Sequence, residues 1–129
     1  MRFGWTIVYV PDVAEAVGFY ERAFGLSRRF VHESGAFAEM ETGETRLAFA
    51  ADATAGELVP GGFRRNSLDD LPAGIEIALV TDDVAAAYDR AVAAGSVAVA
   101  PPARKPWGQT VSYVRDLNGV LVEIATEVG

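Results

Sequence analysis

The sequence contains no cysteine and a single histidine, His32. Without thiols there are no disulfides, no cysteine nucleophiles and no cysteine-bound zinc, which agrees with a cytoplasmic protein. One imidazole cannot by itself build an ordinary zinc site of nitrogen and sulfur ligands. Long apolar runs are also missing: nothing approaches the about 18 residues that a membrane-crossing helix needs. The opening stretch MRFGWTIVYVPD meets Pro11 and Asp12 too soon to read as a secretory signal. Basic residues are few. Eleven Lys and Arg stand against 18 Asp and Glu, for a net charge of −7. Such a surface repels phosphate backbones, so nucleic acid is a poor partner, and a cationic or neutral small molecule is a better one. The pairs Arg28-Arg29 and Arg64-Arg65 are too short to change that balance. No G-x-S-x-G elbow is present, and no Lys-Ser/Thr follows Gly61-Gly62 as a phosphate loop would require.

What is present is apolar and patterned. Half of the 129 residues are hydrophobic, enough for one folded domain spanning 1–129. Phe3 to Val10 reads as a strand, stopped by Pro11. Asp12 is placed to cap a helix over VAEAVGFYERAFG, in which Val13, Ala16, Val17, Tyr20 and Phe24 share a face and Gly25 ends the run. Strands are expected over Leu26 to His32, Ala36 to Glu41 and Thr45 to Ala50. The order then returns. Ile75 to Val80 is a strand, and Asp83 caps VAAAYDRAVAAG, which closes at Gly95. Strands follow over Val97 to Ala100, Thr110 to Arg115 and Val120 to Thr126, with Pro101, Pro102 and Pro106 marking a loop. The fold class is therefore α+β, built as a βαβββ module repeated once at an offset of about 70 residues. Module one covers 1–50 and module two 75–129. The linker 51–74 is long enough to be functional or mobile.

Two strands carry a residue that does not match their apolar character: GIEIALV has Glu76 and GVLVEIATE has Glu123. Alternation puts Glu76 on a face with Ala78 and Val80, and Glu123 on a face with Leu121 and Ala125. Either those faces meet water, or they line a cavity that uses carboxylates. Two close carboxylates repel, so one of them would tend to hold a proton. Such a pair can bind a cation, serve as a general base, or hold Mn²⁺ or Mg²⁺ with water.

The combination of PDVAEAVGFYERAFGL after strand one with VRDLNGVLVEIATE at the end resembles the vicinal oxygen chelate superfamily, over essentially the whole chain. That group includes glyoxalase I, the bleomycin-resistance proteins, fosfomycin-resistance enzymes and extradiol dioxygenases. The resemblance implies two βαβββ modules whose sheets form an incomplete barrel around a cavity, usually in a homodimer. It also implies metal-ligand positions on the first and last strands of each module, which here are Trp5, Ala48, Glu76 and Glu123. Module two keeps two possible ligands and module one keeps none. A homodimer brings only the same residues and cannot supply a histidine where Trp5 stands.

Two functional classes follow. The first is a metal-free protein of the bleomycin-resistance type that binds a small organic ligand, cationic or aromatic, through Trp5, Ala48, Glu76, Trp107 and Glu123. The second is a lyase, isomerase or dioxygenase of the glyoxalase type. In it a divalent metal such as Mn²⁺ or Mg²⁺, on Glu76 and Glu123, would polarise the substrate while a glutamate moves a proton, making those two residues catalytic. The first class is expected, with no metal or other cofactor. Trp5 is either a stacking surface or a core residue. Trp107, in KPWGQT, is a lid, a dimer contact or a loop anchor. Arg46 either pairs with a glutamate, clamps an anionic ligand or lies exposed at a sheet edge. His32 reads as a surface histidine, and Tyr9 and Tyr113 are possible hydroxyl donors.

Overall fold

Eight strands and three helices are found among the described residues, 1–128 of the computed structural model. The chain falls into two compact units, Met1–Arg65 and a second beginning at Asn66. Each unit holds one open four-stranded sheet, and neither sheet closes on itself. The α+β class and the doubled βαβββ order are as the sequence implies.

In the first unit, β1 (Trp5–Val10), α1 (Val13–Phe24), β2 (Arg28–Val31), β3 (Phe37–Met40) and β4 (Arg46–Ala51) follow one another. The sheet order is β1-β4-β3-β2, with β1 parallel to β4 and the rest antiparallel. Asp12 caps α1, its Oδ1 accepting from the Glu15 N–H at 3.0 Å, a bond worth about 1 kcal/mol in typical helices. Gly25 ends the helix at φ 69°, a left-handed conformation in which a Cβ is costly. Val13, Ala16, Val17, Tyr20 and Ala23 are buried on the face that α1 turns to the sheet. Tyr20 meets Phe49 of β4 at 4.9 Å between ring centroids, so one face of this sheet is an aromatic core.

The second unit repeats the plan with β5 (Glu76–Val80), α3 (Val84–Ala93), β6 (Val97–Arg104), β7 (Thr110–Arg115) and β8 (Leu121–Ala125), in the order β5-β8-β7-β6. Asp83 caps α3 as Asp12 caps α1, accepting from Ala86 N–H at 3.1 Å. Ser112, Val114, Val122 and Ile124 are buried on one face of the sheet. Arg115 spends its guanidinium on backbone: Nε donates to Gly119 O, and Nη2 to Ser67 O and Asp70 O. This strap passes so close to Gly119 (φ 89°) that a Cβ there would lie 2.6 Å from Ser67 O.

Two expectations need correction. Residues 51–74 are not a bare loop, because β4 runs directly into a short helix, α2 (Asp52–Leu58), that packs on β4 and β1. Pro101 and Pro102 do not end β6, which continues through them to Arg104. β6 is an edge strand with register shifts between Ala98 and Ala100 and between Ala100 and Ala103. At an edge, and at such irregularities, a proline's missing N–H costs no ladder bond. Among the described residues, no helix is long and apolar enough to cross a membrane.

Candidate functional site

In both sheets, the face opposite the buried one carries the polar residues. In the second unit, β8 lies between β5 and β7. Its register sets Glu123 opposite Ala78 on one side and opposite Tyr113 on the other, while Glu76 stands opposite Leu121. Glu76 and Glu123 are therefore diagonal neighbours on one face, close enough for their carboxyls to hydrogen-bond. Burial, then that bond and the charge of Glu76, push Glu123 up from 4.5 to about 7. Below that pH Glu123 is a neutral acid that can donate to Glu76. The Tyr113 hydroxyl is raised by burial, and then by the charges of Glu123 and Glu76. Arg115, also on β7, is taken up by backbone carbonyls, and among the described residues no ion pair neutralises the two acids.

The first unit places different chemistry at the corresponding register positions. Trp5 begins β1 as Glu76 begins β5, and Ala48 sits in β4 as Glu123 sits in β8. Ala48 is fully buried, and its single methyl leaves room above β4. Across that space the Trp5 indole Nε1–H donates to Glu39 Oε1 on β3 at 2.6 Å. Arg29 Nη1 donates to Glu39 Oε2 at 2.7 Å, and the Glu39 side chain is only 4% exposed. The Trp5 bond, opposed by desolvation and helped by Arg29, holds the Glu39 carboxyl below its ordinary value. Arg46, opposite Trp5 in the register, lies with its Cζ 5.2 Å from the indole centroid. Trp5 is 47% exposed, so it is a pinned ring with an open side and not a core tryptophan.

The structure thus brings Glu76 and Glu123 together, and separately gathers Trp5 with Arg46. It adds two residues that the sequence reading passed over, Glu39 and Arg29. Glu39 had a visible signal: AFAEM sets it among apolar strand neighbours, as GVLVEIATE sets Glu123. Arg46, half-buried, stacks on Trp5. Trp107 is 62% exposed at the turn between β6 and β7. Its indole N–H donates to Gln109 Oε1 at 2.8 Å, and Gln109 Nε2 donates to Thr126 O at 2.9 Å just beyond β8. His32 closes a local exposed turn, its Nδ1 2.8 Å from Ser34 Oγ. Tyr9 packs on Phe63 at 4.7 Å.

The donor set does not fit the divalent metal that the resemblance implies. The indole nitrogen is a donor only, and its hydrogen is committed to Glu39. Ala48 offers nothing, and both Glu39 oxygens already accept strong bonds. Two carboxyls that share a proton are what is left. Among the described residues, no group of three or more His, Cys, Asp or Glu side chains converges.

The chain is similar in fold to a glyoxalase-related enzyme from Fulvimarina pelagi, at 23% identity and a TM-score of 0.82 over 98% of this chain and 88% of that one. A family enzyme from Burkholderia phytofirmans matches at 18% identity and TM-score 0.76, covering 95% and 96%. TioX from a Micromonospora species matches at 22% and 0.74, covering 99% and 100%. No curated protein matches the chain significantly. A family model aligns with residues 2–124. On that match, together with the doubled βαβββ fold, the chain belongs to the glyoxalase/bleomycin resistance protein/dioxygenase superfamily.

Proposed function

We propose that this protein binds a small organic molecule with a cationic group, without a resident metal, on the open face of β5, β8 and β7. The observation that carries the reading is the Glu76–Glu123 pair, two acids held together with Tyr113 beside them and no ion-paired cation among the described residues. An ammonium or amidinium group would replace the shared proton as the counter-charge, so binding releases a proton below about pH 7. The Trp107 ring, oriented by Gln109, supports an aromatic guest. A homodimer belongs to this reading on the family resemblance, and a cytoplasmic location on the lack of cysteine.

The test combines metal analysis with ligand titration. Purified protein is assayed for metal and then titrated by calorimetry with Mn²⁺ and with benzamidine as the cationic probe. The Glu76→Gln/Glu123→Gln variant serves as control. Benzamidine binding that is lost in the variant, with no stoichiometric Mn²⁺ binding, is expected. Stoichiometric Mn²⁺ binding that disappears in the variant would sink the metal-free reading and favour the lyase, isomerase or dioxygenase class.

A further inference from the structure

The acid face of the second sheet has a cation in its own rows that is turned away from it. Arg115 on β7 and Glu76 on β5 both stand opposite Leu121 of β8, so the three form one row across the sheet. Residues in one row share a face, and Arg115 therefore starts from the face that holds Glu76, Glu123 and Tyr113. Glu123 lies two residues along β8 from Leu121, which makes it a diagonal neighbour of Arg115, at a separation of about 7–8 Å that long side chains span. The guanidinium goes elsewhere. Nη2 donates to Ser67 O at 3.0 Å and to Asp70 O at 2.8 Å, and Nε donates to Gly119 O at 3.0 Å. The turn that receives it is shaped by Ser67: Asp69 N–H donates to Ser67 Oγ at 3.1 Å, and Asp70 N–H to Ser67 O at 3.4 Å. Gly119 lets this strap lie close, since a Cβ there would stand 2.6 Å from Ser67 O and 2.7 Å from Arg115 Nη2. From Asp70 the chain runs on into β5, which begins at Glu76.

We propose that Arg115 is a two-position latch: the 67–70 strap holds its guanidinium off the acid face, and release of the strap delivers it to Glu123 and Glu76, closing that face to a cationic guest. The latch regulates the face to which such a guest is assigned above, and so rests on that reading. Both positions satisfy the guanidinium. In the latched one it has three carbonyl acceptors, and the strap brings the acids Asp69 and Asp70 with it. In the released one it has two carboxyls, and its charge-assisted bonds to them take the place of those from a ligand's ammonium or amidinium group. The internal cation and the ligand cation exclude each other because they neutralise the same charge. Linkage makes the effect reciprocal: a guest seated on the acids favours the latched strap, and a freed strap weakens the guest.

The test follows the Glu123 carboxyl of the full chain by ¹³C NMR as pH is varied, with no ligand present. Gly119→Ala pushes the strap off Arg115, and the midpoint of Glu123 is expected to fall by about one pH unit or more, as a cation brought within reach lowers a carboxyl. Adding Arg115→Gln to Gly119→Ala should return Glu123 to its value in the parent. A merely structural Arg115 would give no such rescue. Arg115→Gln alone should move Glu123 little, because the latched guanidinium is already engaged elsewhere. Ser67→Ala loosens the turn without straining the backbone at Gly119, and should move Glu123 in the same direction by less, again reversed by Arg115→Gln. It carries the test by itself where Gly119→Ala does not fold. An unmoved Glu123 in every folded strap variant, or a fall that persists after Arg115→Gln, would overturn the latch. Benzamidine binding by the parent stands or falls separately, since no ligand enters this titration.

Discussion

The two units share a plan and spend their carboxylates in opposite ways. In the first, Glu39 is buried but receives the Trp5 indole and the Arg29 guanidinium, so it is held charged. In the second, Glu123 is less buried but has another acid for its neighbour, so it is held neutral up to about pH 7. Burial pushes both carboxyls upward, and the partner decides the outcome. A carboxylate with two donors is a structural fastening. A carboxyl facing a second carboxyl has no such donors and is kept protonated to a higher pH.

The largest effect should come from breaking the fastening. Glu39→Leu strands the Trp5 N–H and frees Arg29, and urea unfolding is expected to show a loss of about 3 kcal/mol. Glu123→Leu should change stability by less than about 1 kcal/mol, or raise it, because an apolar group replaces a carboxyl that is costly to ionise. Equal losses in the two variants would erase the distinction between the units.

The pH dependence sharpens it. Glu123 has its folded value raised from 4.5 to about 7, so its contribution to stability is complete below 4.5 and is lost as pH rises through 7. That loss should be on the order of 2 kcal/mol after allowance for partial solvent screening. Glu39 is lowered, so its contribution is present above 4.5 and is lost as pH falls through its depressed folded value. Urea midpoints measured from pH 4 to 8 should decline between 4.5 and 7, and Glu123→Gln should flatten that stretch. A flat profile in the parent would argue against the shared proton.

A smaller effect than the loss of Glu39 isolates one bond. Trp5→Phe keeps a ring beside Arg46 and removes the donor to Glu39, and is expected to cost about 1–2 kcal/mol in the same urea assay. No change would mean that Arg29 alone holds Glu39.

Much of this was legible along the chain. Asp12 and Asp83 announced their helices because a cap is a contact between residues three apart. Alternation in GVLVEIATE placed Glu123 on the face away from Val122 and Ile124, since strand geometry is local. The helix α2 was missed because ADATAGEL is short and lacks a side-chain cap; its packing on β4 and β1 stabilises it. The course of β6 through Pro101 and Pro102 was missed because only the sheet order makes β6 an edge.

The sequence by itself determined the doubled unit, the capped helices, the acidic charge and the lack of cysteine. These depend on composition and on neighbours within a few residues. Only the tertiary structure decided which partner each carboxylate meets. Glu39 meets Trp5 across 34 positions of chain because β4 lies between their strands and Ala48 is small enough to be reached over. Glu76 meets Glu123 because β5 and β8, the first and last strands of their module, pair in parallel. A carboxyl's charge state follows from the partner that folding brings to it, and that partner is remote in sequence.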